Sequence, residues 1–392
     1  MEYLKFSTIL LAFAIFTISC GDKQNKDEVI EASNKAIGPA HIVLELDEFS
    51  QPFNKISGMT FKEDYYYFYN EFNQSIYFYS LDQEINSLGK IVKVPLDESI
   101  NFKSVSEVFV HSMDSIFIYN GYGSEGDMSD LFIINSDSDV LGMFDLLNVQ
   151  NKDPHKFSKT YAVNGQTMYY HNGKIILPVA INRYTEESKY KPLFIYDLAE
   201  RKGEYFGEYP ESFELSKFGN ETYKLYASFI PELEKVYLSF PYESNLYSFD
   251  LSNYSWEEIP FETDLVVQPS ALEGGDEKDK LQYDLINSWY IGLYYDKASE
   301  SLLRLAHIGG NINKSDIPEA IPGVAVPIPI QNNFQTFAID PQTGDYTVIS
   351  DLNLYNASLF HPQYGPYQIS RTNEELGFDP EDHLVFTPMM KD

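Results

Sequence analysis

A strand that ends on a polar residue and turns back recurs along this chain, and that repeat limits the fold more than any other feature. It appears as IYFYSLDQE (76–84), LFIINSDSD (131–139), LFIYDLAER (193–201), LYSFDLSNY (246–254) and TFAIDPQTG (336–344), with a weaker copy, HLVFTPMMK, at 383–391. Aligning the polar residue that closes each strand gives Ser80, Asn135, Asp197, Asp250, Asp340 and Thr387. A degenerate repeat near 50 residues with several short strands in each copy is the pattern of a β-propeller.

Each copy can be filled with four strands, bounded by turn residues. They fall at 57–61, 65–70, 75–80 and 89–94; at 106–112, 115–120, 130–135 and 140–146; and at 167–171, 174–181, 192–197 and 204–209. The next two sets lie at 224–229, 235–240, 245–250 and 256–261, and at 291–296, 301–308, 334–340 and 345–350. The last copy has 357–361, 367–371 and 383–386, and the chain ends one strand short. The missing strand is at the other end, where His41 to Asp47 alternates apolar and polar as a half-buried strand does. Placed outermost in the last blade, it closes the ring and covers an edge. The expected fold is all-β, a six-bladed propeller over residues 41–392 with its N-terminal strand in the last blade. A seventh blade would need a further unit in 262–290 or 308–333, where strand pattern is lacking. Residues 276–287, with acids first and Leu281 and Leu285 four apart, predict one short helix.

The start of the chain has a different character. Lys5 is followed by an uncharged run from Phe6 to Ile18, too short for a helix to cross a bilayer core of about 30 Å. The run ends Thr17-Ile18-Ser19-Cys20, which resembles a lipobox, although Thr17 stands where Leu is usual and Glu2 weakens the basic region. The expectation is a signal peptide at 1–19, lipid on Cys20 and a polar tether over 20–40; the other reading is an ordinary signal peptide with a chance cysteine. Cys20 is the one cysteine of the chain, so no internal disulfide can form. Two or three acyl chains, at about 0.8 kcal/mol per buried CH₂, hold a protein on a membrane. Asp22, Asp27 and Glu28 near the anchor resemble surface-export signals of Bacteroidota lipoproteins, which points to the outer membrane, on its surface or periplasmic side.

The net charge of −31, from 59 acidic and 28 basic residues, repels a phosphate backbone and excludes nucleic acid as a partner. The same charge reads most simply as a solvated exterior. Aromatic residues make up 16% of the chain, 31 of them Tyr and 28 Phe, as strands require. In a propeller the second-to-third and blade-to-blade connections share one face. Here the long connections 121–129, 182–191, 309–333 and 372–382, together with 147–166 and 262–290, all fall on that face, which marks it as the working surface.

Four arginines occur: Arg183, Arg201, Arg304 and Arg371. Arg183 and Arg371 follow second strands at the long-loop end, Arg304 lies on a second strand, and His307 ends one. An arginine in an acidic chain suits planar recognition of an acid, so Arg183, Arg304, His307 and Arg371 are the candidate contacts for an anionic ligand. The competing reading pairs these arginines with internal carboxylates between blades.

Other motifs carry less. Asn135 to Asp139 starts like a calcium loop but has Val140 where Gly is needed, so it reads as a hairpin turn. Gly123-Ser124-Glu125-Gly126 is one residue off a nucleophile elbow and lacks the strand-to-helix setting. Glu125, Asp127 and Asp130 could hold a cation, though a plain loop is the simpler reading. The seven histidines show no HExxH and no i, i+4 pair. No catalytic set, cofactor or metal site is predicted.

With the lipobox, the blade strands and YYDKASESLLRLAHIG (294–309) in view, the chain resembles the six-bladed propeller-type lipoproteins of Bacteroidota grouped as a domain of unknown function. The resemblance implies a propeller and an envelope address, and brings no catalytic residues with it. The functional expectation is a lipid-anchored binding module that holds a partner protein, a glycan or a small acid on its long-loop face; the alternative is a hydrolase or lyase acting on glycans or peptides at the channel mouth. Two carboxylates, or a histidine with an aspartate, at the mouth would favour the enzyme, and an aromatic patch would favour binding.

The anchor has a direct test. Cys20→Ser leaves an unprocessed precursor that takes up no labelled fatty acid; normal acyl labelling of that variant would remove the lipoprotein reading.

Overall fold

The computed structural model describes residues 40–48, 57–59, 65–82, 85–95, 105, 107–120, 130–146, 168–179, 191–210, 224–267, 269–270, 272, 275–311, 313, 315, 317, 333–350, 352–354, 357–361, 363–370 and 373–389. They form six small sheets in a ring, a six-bladed β-propeller, with neighbouring strands antiparallel except for one short pairing. The chain enters as β1 (Ile42–Glu45). Blade 1 is β2 (Ser57–Met59), β3 (Tyr65–Asn70), β4 (Ser75–Ser80) and, after the two-residue β5 (Ile85–Asn86), β6 (Leu88–Lys93). Blade 2 is β7 (Glu107–Ser112), β8 (Ser115–Asn120), β9 (Asp130–Ile134) and β10 (Val140–Asp145). Blade 3 is β11 (Tyr169–His171), β12 (Lys174–Pro178), β13 (Leu193–Asp197) and β14 (Lys202–Phe206). Blade 4 is β15 (Tyr226–Ile230), β16 (Lys235–Ser239), β17 (Leu246–Asp250) and β18 (Ser255–Ile259). Helix α1 (Glu277–Ile286) leads into blade 5, which is β19 (Trp289–Asp296), β20 (Ser301–His307), β21 (Phe334–Ile339) and β22 (Tyr346–Ile349). Blade 6 begins with β23 (Ala357–His361), β24 (Gly365–Ile369) and β25 (His383–Pro388).

The ring closes as the sequence predicts. β1 pairs antiparallel with β25, Ile42 opposite Phe386 and Glu45 opposite His383, and so supplies the fourth strand of blade 6. Its other side is covered too. β5 runs parallel to β1, with Val43 opposite Ile85 and Leu44 opposite Asn86, and the Asn86 amide donates to Val43 O at 3.3 Å. A strand borrowed from blade 1 thus covers the edge of the last blade.

The strands alternate between two interfaces because successive side chains leave a strand on opposite faces. Tyr67 and Tyr69 pack on blade 2 with Val108, Val110, Ile116 and Ile118. Their neighbours Tyr66 and Phe68 pack on blade 6 with Leu359, Tyr367 and Phe386. In blade 2, Phe109 and Phe117 turn the other way, onto Ile175 and Phe194 of blade 3. The core is therefore a series of layers between blades, and inner strands buried on both faces read as unbroken apolar runs such as YYYFYN.

In the middle four copies the polar residue that closes the repeated strand has a turn to hold. Asp197 Oδ1 accepts the backbone N–H of Ala199 and Glu200, both at 2.9 Å, and Asp340 Oδ1 that of Gln342 at 2.7 Å and Thr343 at 3.2 Å. Asn135 does the same for Asp137 and Asp139, and Asp250 for Ser252. These are Asx turns. The Asp250 carboxyl is held below its usual range, first by the Ser252 hydroxyl. The predicted helix is α1, its start closed by a capping box in which Asp276 accepts from Asp279 N at 2.8 Å and Asp279 from Asp276 N at 2.9 Å.

Closure can be measured by truncation. Deleting 41–47 removes the buried side chains of Ile42, Val43 and Leu44, a loss on the order of 5 kcal/mol at about 1.5–3 kcal/mol per side chain, and lowers the melting temperature. Deleting 20–38 leaves it unchanged. Equal melting of the two truncations would sink the closure argument.

Candidate functional site

Antiparallel order within each blade separates the connections. The β7–β8, β11–β12 and β19–β20 turns and the Asx turns lie at one end, while second-to-third connections and entries to inner strands lie at the other. The long connections at that second end fall largely outside the described residues, as do Arg183, Arg371, Cys20 and residues 123–127. Described there are residues 373–382 of blade 6 and the corner between blades 4 and 5, of which the corner brings the candidate side chains together.

Arg304 is the centre of that corner. It sits in mid-β20, opposite Leu293 and Phe337, and is fully buried. Its side chain crosses into blade 4. Nε donates to Ser239 Oγ at 3.0 Å, Nη2 to Glu243 O at 2.8 Å, and Nη1 to Ser244 O; Nη2 also approaches Asn245 O at 3.5 Å. The guanidinium stands 3.2 Å from the ring centre of Tyr290 and 5.1 Å from that of Phe261. Burial pulls its pKa down to about 10, against the pull of Tyr290, Glu243 and Tyr247, so it keeps its charge at neutral pH. Backbone carbonyls and aromatic faces solvate this cation, and they hold the turn at 243–245 in place. The sequence signal for an internal role is the run Leu302-Leu303-Arg304-Leu305-Ala306: a lone charge in a strand apolar on both faces has to find its partners inside the protein.

His307 closes the same strand and is also buried, its ring 5.8 Å from Trp289 and 5.9 Å from Phe334. Burial holds its pKa below the ordinary value, a hydrogen bond to the backbone of Asn287 opposing. Arg304 and His307 thus share a strand but not a site, since the guanidinium points into blade 4 and the imidazole lies under Trp289.

Beside them is a group that sequence reading did not assemble. Tyr242, in the β16–β17 connection, donates to the Asp284 carboxylate of α1. Trp289 Nε1 donates to Asp284 O at 3.0 Å, and Tyr283 Oη to Ser270 O at 2.8 Å. The rings of Tyr242 and Tyr283 meet at 5.7 Å, and Tyr242 and Trp289 at 6.4 Å. Lys224, on the entry to β15, places its ammonium 5.7 Å from the Trp289 ring centre. Burial and then the Asp284 charge push the Tyr283 hydroxyl well above its usual range. Trp289 and Lys224 are partly exposed at the channel end of the corner, whereas Tyr242 and Asp284 are buried behind them. The carboxylate is taken up by a phenol, and what faces outward is an indole with a cation over it.

A histidine–carboxylate pair does exist, His171 Nε2 to Glu234 Oε1 at 2.9 Å, but it joins the β11–β12 and β15–β16 turns at the opposite end. Among the described residues no three His, Cys, Asp or Glu side chains are placed to hold a metal, and no helix is long and apolar enough to cross a membrane.

No family model matches this sequence, and no curated protein matches it. Solved structures do. A member of the DUF4221 family from Bacteroides vulgatus superposes with a TM-score of 0.63 at 14% identity, over 89% of this chain and 95% of the other. A protein from Bacteroides fragilis described as a putative exported protein superposes with a TM-score of 0.50 at 12% identity, over 91% and 98%. At such identities the likeness is one of fold.

Removing the Arg304 side chain leaves the 243–245 carbonyls unmatched. Arg304→Ala destabilises the protein by roughly 3 kcal/mol or more in urea unfolding, since hydrogen bonds to a charged group are worth about 1.5–3 kcal/mol each. Arg304→Lys recovers part of it, because an ammonium cannot span three carbonyls as the planar fork does. Wild-type stability in the alanine variant would show the clamp to be idle.

Proposed function

We propose that this chain is an exported, lipid-anchored binding module of the bacterial cell envelope, related to the Bacteroidota propeller lipoproteins, and that it holds its ligand on the long-loop face. The observation that carries the reading is the blade 4–5 corner, where Trp289 and Lys224 are partly exposed and Asp284 is engaged by Tyr242 behind them. A fixed indole with a cation over it is equipment for recognition. The exported description of the Bacteroides fragilis neighbour supports an address outside the cytoplasm, and Cys20 at the end of the apolar leader supports the anchor.

The ligand class that fits is a small acid, an acidic glycan or an acidic segment of a partner protein. Lys224 supplies one positive contact, and Arg183 and Arg371, at the long-loop ends of their strands by sequence, supply the others. An arginine there, with five donors and a permanent charge in a chain of net charge −31, attracts carboxylate or phosphate.

A thermal-shift screen of acidic sugars, organic acids and phosphates on wild type and Arg371→Ala tests this. One class raises the wild-type melting temperature, and Arg371→Ala weakens that binding by roughly 1.5–3 kcal/mol, the range for hydrogen bonds to charged groups, with unliganded stability retained. If no compound stabilises wild type and Arg371→Ala melts several degrees lower, the arginine is structural and the anion site is gone.

A further inference from the structure

Where β20 leaves the sheet, the chain is bonded at once to the C-terminal end of α1. Gly310 N donates to Leu285 O at 3.0 Å, and Gly309 N to Ser288 Oγ at 3.1 Å. Gly309 can approach only because it has no side chain: a Cβ there would stand 2.1 Å from Ile286 O. Ile308 N is tied to Asn333 O at 2.8 Å, so the segment is gripped from its other side as well. The far side of α1 is held through Asp284, by Tyr242 and by Trp289. The helix is therefore pinned between blade 4 and the exit of β20, with Trp289 beneath it.

His307 stands in this joint, 4% exposed, between the rings of Trp289 and Phe334. It bonds to the backbone of Asn287, the residue that ends α1, and its Nδ1 is buried with no hydrogen-bond partner. A neutral imidazole tolerates this, because a bare nitrogen lone pair in an apolar wall costs little beyond one lost bond. A protonated ring does not: it adds an N–H donor and a full charge where no acceptor stands.

The geometry points to His307 as an acid-sensitive latch, whose protonation frees the C-terminal end of α1 from residues 307–310 and opens the corner over Trp289. The joint yields before the blades do because the His307–Asn287 contact, two further hydrogen bonds and a glycine contact hold it, whereas the strands of blade 5 are held by longer ladders. The charged groups around it come from every element packed there. Asp284 on α1 is committed to Tyr242, Glu243 lies in the blade 4 turn, Lys224 stands over Trp289, and Arg304 lies three residues back on β20. Burial decides the sign. With the closed-state pKa below the ordinary 6.5, the open joint takes up the proton first, so closure is complete above that pH and is lost as pH falls through and below it. The latch regulates the corner where binding is proposed and rests on that reading for its purpose, but its opening is measured without any ligand.

The protein has two tryptophans, and Trp256→Phe leaves Trp289 as the only reporter beside His307. Taking this variant from about pH 7.5 to about pH 5, across the range in which histidine titrates, shifts Trp289 emission to the red and increases its quenching by acrylamide, with a midpoint below that of a free histidine. Far-UV circular dichroism stays unchanged. Amide exchange over 277–286, corrected for the intrinsic pH dependence, rises at least tenfold while the blade strands remain protected. Adding His307→Phe, which keeps a ring and cannot take a proton, abolishes the transition; His307→Gln serves the same purpose if the phenylalanine variant misfolds. A silent Trp289, the same transition in both His307 variants, or loss of the β-signal together with the shift would each overturn the latch. None of these outcomes bears on ligand binding at neutral pH, so the two readings fail separately.

Discussion

A sheet buried on both faces has to put its polar atoms somewhere, and in this ring the tyrosine hydroxyls that reach the neighbouring blade solve much of that problem. Tyr67 of blade 1 donates to Val108 O of blade 2 at 3.1 Å, Tyr169 of blade 3 to Ala227 O of blade 4 at 3.0 Å, and Tyr237 of blade 4 to Pro341 O of blade 5 at 2.9 Å. Each ring fills the apolar layer and each hydroxyl ends on a backbone carbonyl one blade further on. The arrangement stabilises twice, through the area of the ring and through a hydrogen bond made in a medium of low dielectric. Burial accordingly drives the Tyr67 and Tyr169 hydroxyls far above their usual pKa. A chain with 31 tyrosines can build its core this way without a disulfide.

Arg304 applies the same principle at higher stakes. A cation is far costlier to bury than a phenol, and it is matched by more partners: a serine hydroxyl, backbone carbonyls and two aromatic faces. The outcome is local rigidity where blades 4 and 5 meet. Against that fixed background α1 is attached by few bonds, and the one histidine of the corner lies at its seam. Rigidity and release are neighbours here because the corner is built from ladders on one side and from a docked helix on the other.

The strands were legible because their signals are local. Runs such as SIYFYS and KVYLS bounded by turns, the strand after His41 and the acidic start of 276–287 need no knowledge of distant residues and form the expected elements. β1, however, is not half-buried as its pattern suggests, because it lies between two strands with Ile42, Val43 and Leu44 all buried. What was not legible depends on ring order. The two residues of β5 carry no periodicity and become a strand only because β1 lies beside them. The register shifts within β7, β19, β23 and the outer β10 likewise carry no mark in the sequence. The partners of Arg304 lie about sixty residues back, on another blade, so its charge was visible and its destination was not. The corner formed by Tyr242, Asp284, Trp289 and His307 gathers four elements, none of which marks the others in sequence. Arg183, Arg371 and Cys20 lie outside the described residues, and their roles rest on sequence alone.

The placement of β1 has a mechanical consequence. Its four residues are held on one side by β25 of the last blade and on the other by β5 of the first. Tension drawn along the strand from the residues ahead of it meets both ladders in shear, so their bonds must fail together and cannot peel one at a time. The load also divides between two blades that are neighbours in space and lie at opposite ends of the chain. Tethering such a protein by its leading end therefore puts the strain where the closure is doubly bonded.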